Sequence, residues 1–294
     1  MPRLLFLILA VGLLTGGGKA AGDGGDRLRP LKEIAFSDLS DRTIAEAGRQ
    51  ALAMRPEAWK HAETEHFVLH FRERSVAAPV AVEAEFYYRI LLSDLKLSPT
   101  PSDGKSHIYL FDDPREWSLF ASDASLEVWT GAAKIGGELF VPRDSARRFK
   151  GHELGHEIAH LIVRRHLGEH LPLWLEEGYA EEVATRGYAA FYRARGYRAK
   201  PRAGALPAPP VPLAELTART GYPADTAEAH LFYRQAHRLA WFLNAFGDEA
   251  HFRQLLTLCA KGEPFESALR RAYGSRWASL DALEVDFLAE LARP

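Results

Sequence analysis

Cysteine is almost absent from this sequence. The single Cys259 excludes an internal disulfide and also a metal site built from cysteines alone. Because Cys259 ends the apolar, helix-like run that begins at Leu255, we expect it to be a buried small hydrophobic residue. The stability of the chain must therefore come from its core.

Charge of either sign is also not in clear excess. The formal net charge is -2, so the sequence lacks the basic footprint of a protein that binds nucleic acid. Hydrophobic residues make up 47% and charged residues 26%, an ordinary globular mix. The length of 294 residues fits one large domain or a two-lobed one, and the sequence contains no internal repeat.

The N-terminal apolar run is too short to span a bilayer comfortably. It covers Leu4–Leu14, follows Arg3, and gives way to small residues through Ala21, which is typical of a signal peptide. A retained membrane anchor is the alternative, and a lipid anchor is not expected because no cysteine follows. We expect residues 1–20 to be removed near Ala20, leaving a periplasmic or extracellular protein with no stable membrane span.

Histidine and glutamate, in contrast, are concentrated in the ten residues GHELGHEIAH, Gly151–His160. They form two overlapping copies of the pattern H-E-x-x-H. The copies share their middle histidine and comprise His152, Glu153, His156, Glu157 and His160. Helical residues four apart lie roughly 40° apart around the axis and about 6 Å apart along it, so two such histidines can reach one ion. The pattern indicates zinc ligation and general-base chemistry of a metallohydrolase.

The neighbouring residues favour the second copy as the metal-binding one. Lys150 flanks the first copy, whereas the positions around the second copy are uncharged and can pack into a core without a desolvation cost. His156 and His160 are therefore the predicted ligands, and Glu157 is the predicted base. His152 lies one turn earlier, where it either contacts substrate or is a solvated polar residue.

The remaining pattern predicts an α+β protein. Strands are predicted at Phe67–Phe71 and Ser106–Phe111, and a hairpin around Gly136 and Gly137. Pro79 is expected in the first turn of a helix that runs to about Lys96.

Helix ends and domain boundaries can also be predicted. Asp41 is expected to cap a short N-terminal helix, and the helix that holds the double motif is expected to start within Pro142–Ser145 and to end before Gly168. We expect a leader with N-terminal helices over 21–58 and one domain over 59–294. Within it, a lobe with a small mixed or antiparallel sheet covers 59–198, and a helical lobe covers 213–294 after a proline-rich crossing.

The segment after the motif resembles a known group of enzymes. HEIAH followed by LPLWLEEGYAEE, which ends at Glu182, is similar to the gluzincin metallopeptidases, in particular the exported bacterial peptidase MA-like proteins. The resemblance implies a zincin-like fold and a third zinc ligand at the glutamate before the glycine, Glu177. The neighbouring Glu176 is the alternative third ligand, and it is otherwise expected to be a solvated acid near the start of the helix. Glu181, one turn after Glu177, can receive the free ring N–H of a ligand histidine, or it is an exposed surface acid.

The resemblance also implies how the substrate is held. Related enzymes supply a tyrosine or histidine that stabilises the developing oxyanion, and the candidates here are Tyr233, His230 and His237, with Tyr233 preferred. The strand Leu139–Val141 or its hairpin partner is expected to align an extended peptide by backbone pairing. A packed aromatic residue is the alternative role for Tyr233.

These expectations lead to an exported zinc metallopeptidase that acts on a peptide or protein substrate. Two alternatives remain: a catalytically inactive, peptidase-like binding protein of the cell envelope, and a zinc hydrolase of an amide outside proteins. The sequence does not identify the substrate.

Overall fold

The computed structural model describes residues 31–98, 104–126, 131–143, 151–168, 170–196, 206 and 209–293. Its strands are β1 Glu33–Ile34, β2 Lys60–Glu63, β3 Phe67–Phe71, β4 Ser106–Phe111, β5 Ala133–Ile135 and β6 Glu138–Pro142. Its helices of more than one turn are α1 Glu46–Ala53, α2 Arg74–Leu95, α3 Pro114–Asp123, α4 Gly151–His166, α5 Leu173–Arg193, α6 Leu213–Ala218, α7 Thr226–Gly247, α8 Glu249–Ala260, α9 Phe265–Tyr273 and α10 Leu280–Leu291. The protein is α+β, with the strands in the N-terminal half and a helical C-terminal part, as predicted.

The six strands form one mixed sheet in the order β1-β2-β3-β4-β6-β5. Strands β3, β4 and β6 are parallel to one another, and the other pairs are antiparallel. The predicted hairpin joins β5 to β6 and turns through Gly136, whose φ of 61° favours glycine. Strand β5 is therefore an edge of the sheet, whereas β6 is paired on both sides.

Helices cover both faces of the sheet because side chains alternate along each strand. Leu69, Ile108 and Leu139 face one side and belong to the main core together with residues of α2, α4 and α5. Tyr109 and Phe140 face the other side, where α1 and α3 pack. The main core continues without a break into α6–α10, and it includes Cys259, which is buried as predicted.

Tyr87 of α2 fixes the spacing of α2, α4 and α5. A Cβ atom added at Gly155 of α4 or at Gly187 of α5 would lie 2.4 Å from carbon atoms of the Tyr87 ring. The Tyr87 hydroxyl donates to the Ala184 carbonyl oxygen at 3.4 Å. The two glycines thus let α4 and α5 both come close to the same ring.

A row of three histidines, which we call the histidine chain, crosses the sheet on the face that packs against α1. The His61 Nδ1 and His70 Nδ1 atoms are 2.8 Å apart, as are the His70 Nε2 and His107 Nδ1 atoms. Burial lowers the pKa of all three, and their mutual repulsion lowers the pKa of His70 further, to well below 6.5. The three imidazoles of the histidine chain are therefore neutral at pH 7.

Two predicted helix starts are wrong. Helix α2 begins at Arg74, so Pro79 lies in its second turn, where the ring removes only the hydrogen bond to a first-turn carbonyl. Asp41 does not cap α1, because its carboxylate accepts instead from the backbone N–H groups of Thr43 and Lys105. The Ala45 N–H, at the start of α1, donates to the buried Glu138 of β6 at 2.8 Å.

Several predictions fall outside the described residues. They are the signal peptide over 1–20, the first part of the leader through residue 30, the start of the motif helix near Asp144 and Ser145, and most of the proline-rich crossing. The domain boundaries stay predictions. Among the described residues, no helix is both long and apolar enough to cross a membrane.

Candidate metal centre

Helix α4 presents the second copy of the motif on one face. The His156 Nε2 and His160 Nε2 atoms are 3.0 Å apart, which follows from their separation by four residues on one helix. Leu154, Ile158 and Ile162 are buried against the core and fix the orientation of that face.

Helix α5 brings Glu177 to the same point. Its Oε2 atom lies 3.2 Å from His156 Nε2 and 3.5 Å from His160 Nε2. Glu177 is buried, yet this Oε2 atom has no aligned hydrogen bond. A buried carboxylate oxygen that lacks a donor is costly unless a cation completes the site. The three ligand atoms lie within 4.8 Å of one another, so one small cation can contact all of them.

This arrangement resembles that of the gluzincin metallopeptidases. The resemblance consists of two histidines four apart on one helix and a glutamate followed by Gly178 on the next. Two imidazoles and a carboxylate are a donor set that suits zinc and leaves one position open. The residues therefore fit the ion that the sequence predicts.

Each ligand histidine has a carboxylate on its far nitrogen. The His156 Nδ1 atom lies 3.2 Å from Glu181 Oε1, although the pair is not aligned as a hydrogen bond. The His160 Nδ1 atom lies 3.2 Å from Glu176 Oε1, which also accepts from Arg164 at 2.7 Å. Such partners orient an imidazole and set its tautomer. The prediction that Glu176 is solvated is wrong, because the first turn of α5 packs against α4.

The electrostatics of the cluster favour a cation. Burial opposes the charged form of His160, but Glu177 and Glu176 outweigh it and raise the His160 pKa to about 9. Burial likewise opposes the charged form of Glu181, but contact with His156 lowers its pKa to about 2. The Glu177 pKa is lowered still further, with His160 and His156 outweighing burial. The carboxylates thus stay ionised around the point where the three ligand atoms meet.

Two tyrosines from the C-terminal part reach this cluster. The Tyr222 hydroxyl donates to Glu177 Oε1 at 2.5 Å, and its ring stacks on Tyr233 with centroids 6.2 Å apart. The Tyr233 ring centroid is 6.5 Å from that of His156. Burial, and then the charges of Glu177 and Glu157, raise the pKa of Tyr233, so its phenol keeps its proton. Sequence reasoning missed Tyr222, which lies in the connection between α6 and α7.

The other predicted residues lie at different distances from the cluster. His152 Nε2 is 3.5 Å from Glu181 Oε2 and 3.3 Å from the Thr185 hydroxyl, so His152 is not a solvated residue. His237 Nε2 lies 3.1 Å from the buried Glu182, and His230 is exposed. Of the three candidates for the oxyanion, Tyr233 is the one with a contact to a ligand side chain in the described residues.

One edge strand of the sheet lies beside helix α4, which carries the motif. Helix α4 contacts both β5 and β6. Because β4 and β5 occupy both sides of β6, the strand Leu139–Val141 has no free edge for a peptide. Its hairpin partner β5, Ala133–Ile135, is the edge strand and keeps that possibility.

No family model matches the chain, and no curated protein matches it. A crystal structure of a mutant M1 zinc metallopeptidase from Deinococcus radiodurans matches with a TM-score of 0.40 and 17% sequence identity. The match covers 72% of this chain and 45% of that one, so the chain spans less than half of the length of the matched protein. At this similarity the match carries no argument about activity or ligands.

Proposed function

We propose that this protein is a zinc-dependent metallopeptidase that hydrolyses peptide bonds. The observation that carries the proposal is the convergence within 4.8 Å of His156 Nε2, His160 Nε2 and Glu177 Oε2, a buried oxygen that accepts no aligned hydrogen bond. These three residues would hold the ion. When bound, zinc supplies a Lewis acid that lowers the pKa of a coordinated water and polarises a carbonyl group.

The residues around the ligands suit the proton transfers of peptide hydrolysis. Glu157 follows His156 on α4, is half-buried, and interacts electrostatically with Tyr233. In our proposal its carboxylate accepts a proton from the attacking water and passes it to the leaving amine. Tyr233, which keeps its proton, donates a hydrogen bond to the substrate oxygen as negative charge develops there.

Substrate and location belong to the same proposal. An extended peptide would pair with the edge strand β5, as in other cases of strand addition. Export to the periplasm or the cell exterior rests on the N-terminal pattern of the sequence alone.

A peptide-library digest with and without a chelator tests the activity. We expect one equivalent of zinc in the purified protein and cleavage that stops when the metal is removed. Glu157→Gln should keep the metal and lose hydrolysis by at least about 100-fold, because it removes the proton acceptor and little volume.

Glu153→Gln is the matched control, since Glu153 holds the same place in the first copy of the motif. It should leave hydrolysis nearly unchanged. Inactivation by Glu153→Gln but not by Glu157→Gln would show that the base lies in the first copy of the motif and not in the second. Less than about half an equivalent of zinc in correctly folded protein would contradict the proposal, because the fit of this donor set to zinc is its basis.

A further inference from the structure

The two oxygens of the Glu177 carboxylate have different surroundings. Oε2 faces the ligand nitrogens of His156 and His160, as described above. Oε1 accepts the Tyr222 hydroxyl at 2.5 Å. The hydrogen bond thus occupies the oxygen that does not face the histidines.

The Tyr222 ring is held by helix α7. It stacks on Tyr233 at an interplanar angle of 19° and meets the edge of Phe232 with centroids 6.5 Å apart. Tyr222 is nevertheless 54% exposed. A tyrosine that served only to fill the core would not be left half in solvent, so the placement of its hydroxyl requires another reason.

We propose that Tyr222 is a positioning residue that restricts Glu177 to binding the metal through one oxygen. This inference rests on the proposed function, because it concerns the same metal centre. A glutamate can bind a cation through one oxygen or through both. With Oε1 held by the phenol, rotation of the carboxylate toward two-oxygen binding would break the hydrogen bond from Tyr222.

Single-oxygen binding matters for the chemistry of such a site. A catalytic zinc site uses three protein ligands and keeps one position for water or substrate. A second glutamate oxygen would compete for that position. Tyr222 would therefore keep it open from outside the ligand set, in the way that Glu176 and Glu181 orient the two histidines.

The binding of metal to Tyr222→Phe tests the inference without any measurement of activity. Zinc affinity is measured by competition with a chromophoric chelator, and the visible absorption of the Co²⁺-loaded protein reports the coordination number. Loss of a residue that orients a ligand typically weakens metal binding by about 10- to 100-fold, and we expect a loss in this range. The cobalt absorption should weaken, as it does when four-coordinate cobalt gains a ligand.

Tyr188→Phe is the matched control, because it removes a hydroxyl from a ring that packs at a tilt of 39° against Tyr192 of α5, away from the candidate ligands. It should bind both metals as the natural protein does. Metal-free Tyr188→Phe should unfold at the same temperature as the natural protein, whereas metal-free Tyr222→Phe should unfold cooperatively at a lower temperature, because the buried Glu177 loses the donor on its Oε1 atom.

Each outcome has a separate meaning. The inference would be overturned if Tyr222→Phe bound zinc within about twofold of the affinity of the natural protein and gave the same cobalt spectrum. Such a small change lies far outside the range typical for an orienting residue, and the zinc centre itself would be left intact. Failure of the natural protein itself to bind zinc or cobalt would instead overturn the proposed function, and the inference with it.

Discussion

Replacement of Gly178 by alanine should damage the metal centre more than the fold. Gly178 follows Glu177, the proposed third ligand, on α5 and faces the backbone of α7. A Cβ atom there would lie 2.4 Å from the Ala236 carbonyl oxygen and 3.1 Å from the Ala240 Cβ atom. Because an ordinary contact needs at least 3.4 Å, the two helices would have to separate by about 1 Å.

The cost to stability is moderate because two effects oppose each other. Overpacking a well-packed interface costs about 1–3 kcal/mol. Alanine is a better helix former than glycine by about 1 kcal/mol, which offsets part of that cost. We expect the free energy of unfolding to fall by about 0–2 kcal/mol.

The cost to function is larger because both sides of the site move. Helix α5 carries Glu177, and α7 carries Tyr233 one turn before Ala236. A displacement of about 1 Å in an active site can reduce activity by roughly 100-fold. We expect losses of that order in peptide hydrolysis, together with weaker zinc binding.

Urea unfolding, zinc competition and peptide hydrolysis measure the three quantities. Gly137→Ala is the control, because no atom lies within 4 Å of the position of its Cβ and its φ is not positive. Gly137→Ala should match the natural protein in zinc affinity. Natural zinc affinity and hydrolysis in Gly178→Ala would refute the claim that the close approach of α5 and α7 sets the position of Glu177.

Two further predictions concern the other face of the sheet. In the folded protein the pKa of His70 lies below its ordinary value of 6.5. As the pH falls through 6.5, the unfolded chain therefore binds more protons than the folded protein does, and stability that is present above that pH is lost. Urea unfolding between pH 7.5 and 5.5 should show a smaller loss for His70→Gln than for the natural protein, and an equal loss would contradict this origin. Glu138→Ala should lower the free energy of unfolding by about 1–3 kcal/mol, since the Ala45 N–H and the Tyr109 hydroxyl lose their acceptor. A change below about 0.5 kcal/mol, the range of an ordinary surface substitution, would show that Glu138 does not stabilise the start of α1.

The sequence predicted the parts of the site that depend on spacing within one helix. His156 and His160 share a face because four residues separate them, and the structure places them together. Glu181 follows Glu177 by the same spacing and reaches His156 for the same reason. Local periodicity was sufficient for these residues.

Contacts between distant segments could not be predicted in this way. Tyr222 lies 45 residues after Glu177, in a connection without periodicity, so nothing near it in the sequence indicates its partner. Glu176 differs from Glu177 by one position, and only the packing of α5 against α4 decides that it contacts His160.

The two predictions of helix starts failed for a related reason. Asp41 is a good capping residue by type, but the acceptor at the start of α1 is Glu138, 93 residues from Ala45. Pro79 is a good first-turn residue by type, but the chain before it is compatible with a helix, and α2 begins at Arg74. For Asp41 the local preference gave way to a tertiary contact, and for Pro79 it gave way to the helical preference of the residues before it.

The packing of Tyr87 has a consequence for how the proposed metal centre would be loaded. The ring sets the distance of α4 and α5 from α2 through Gly155 and Gly187, and this contact involves no ligand atom. Small zinc domains fold only when metal arrives, because the ion holds their chain together. In this protein the hydrophobic core holds the helices together, so we expect a chelator to remove the proposed metal without unfolding the chain. Competing metals would then meet helices whose spacing is already set.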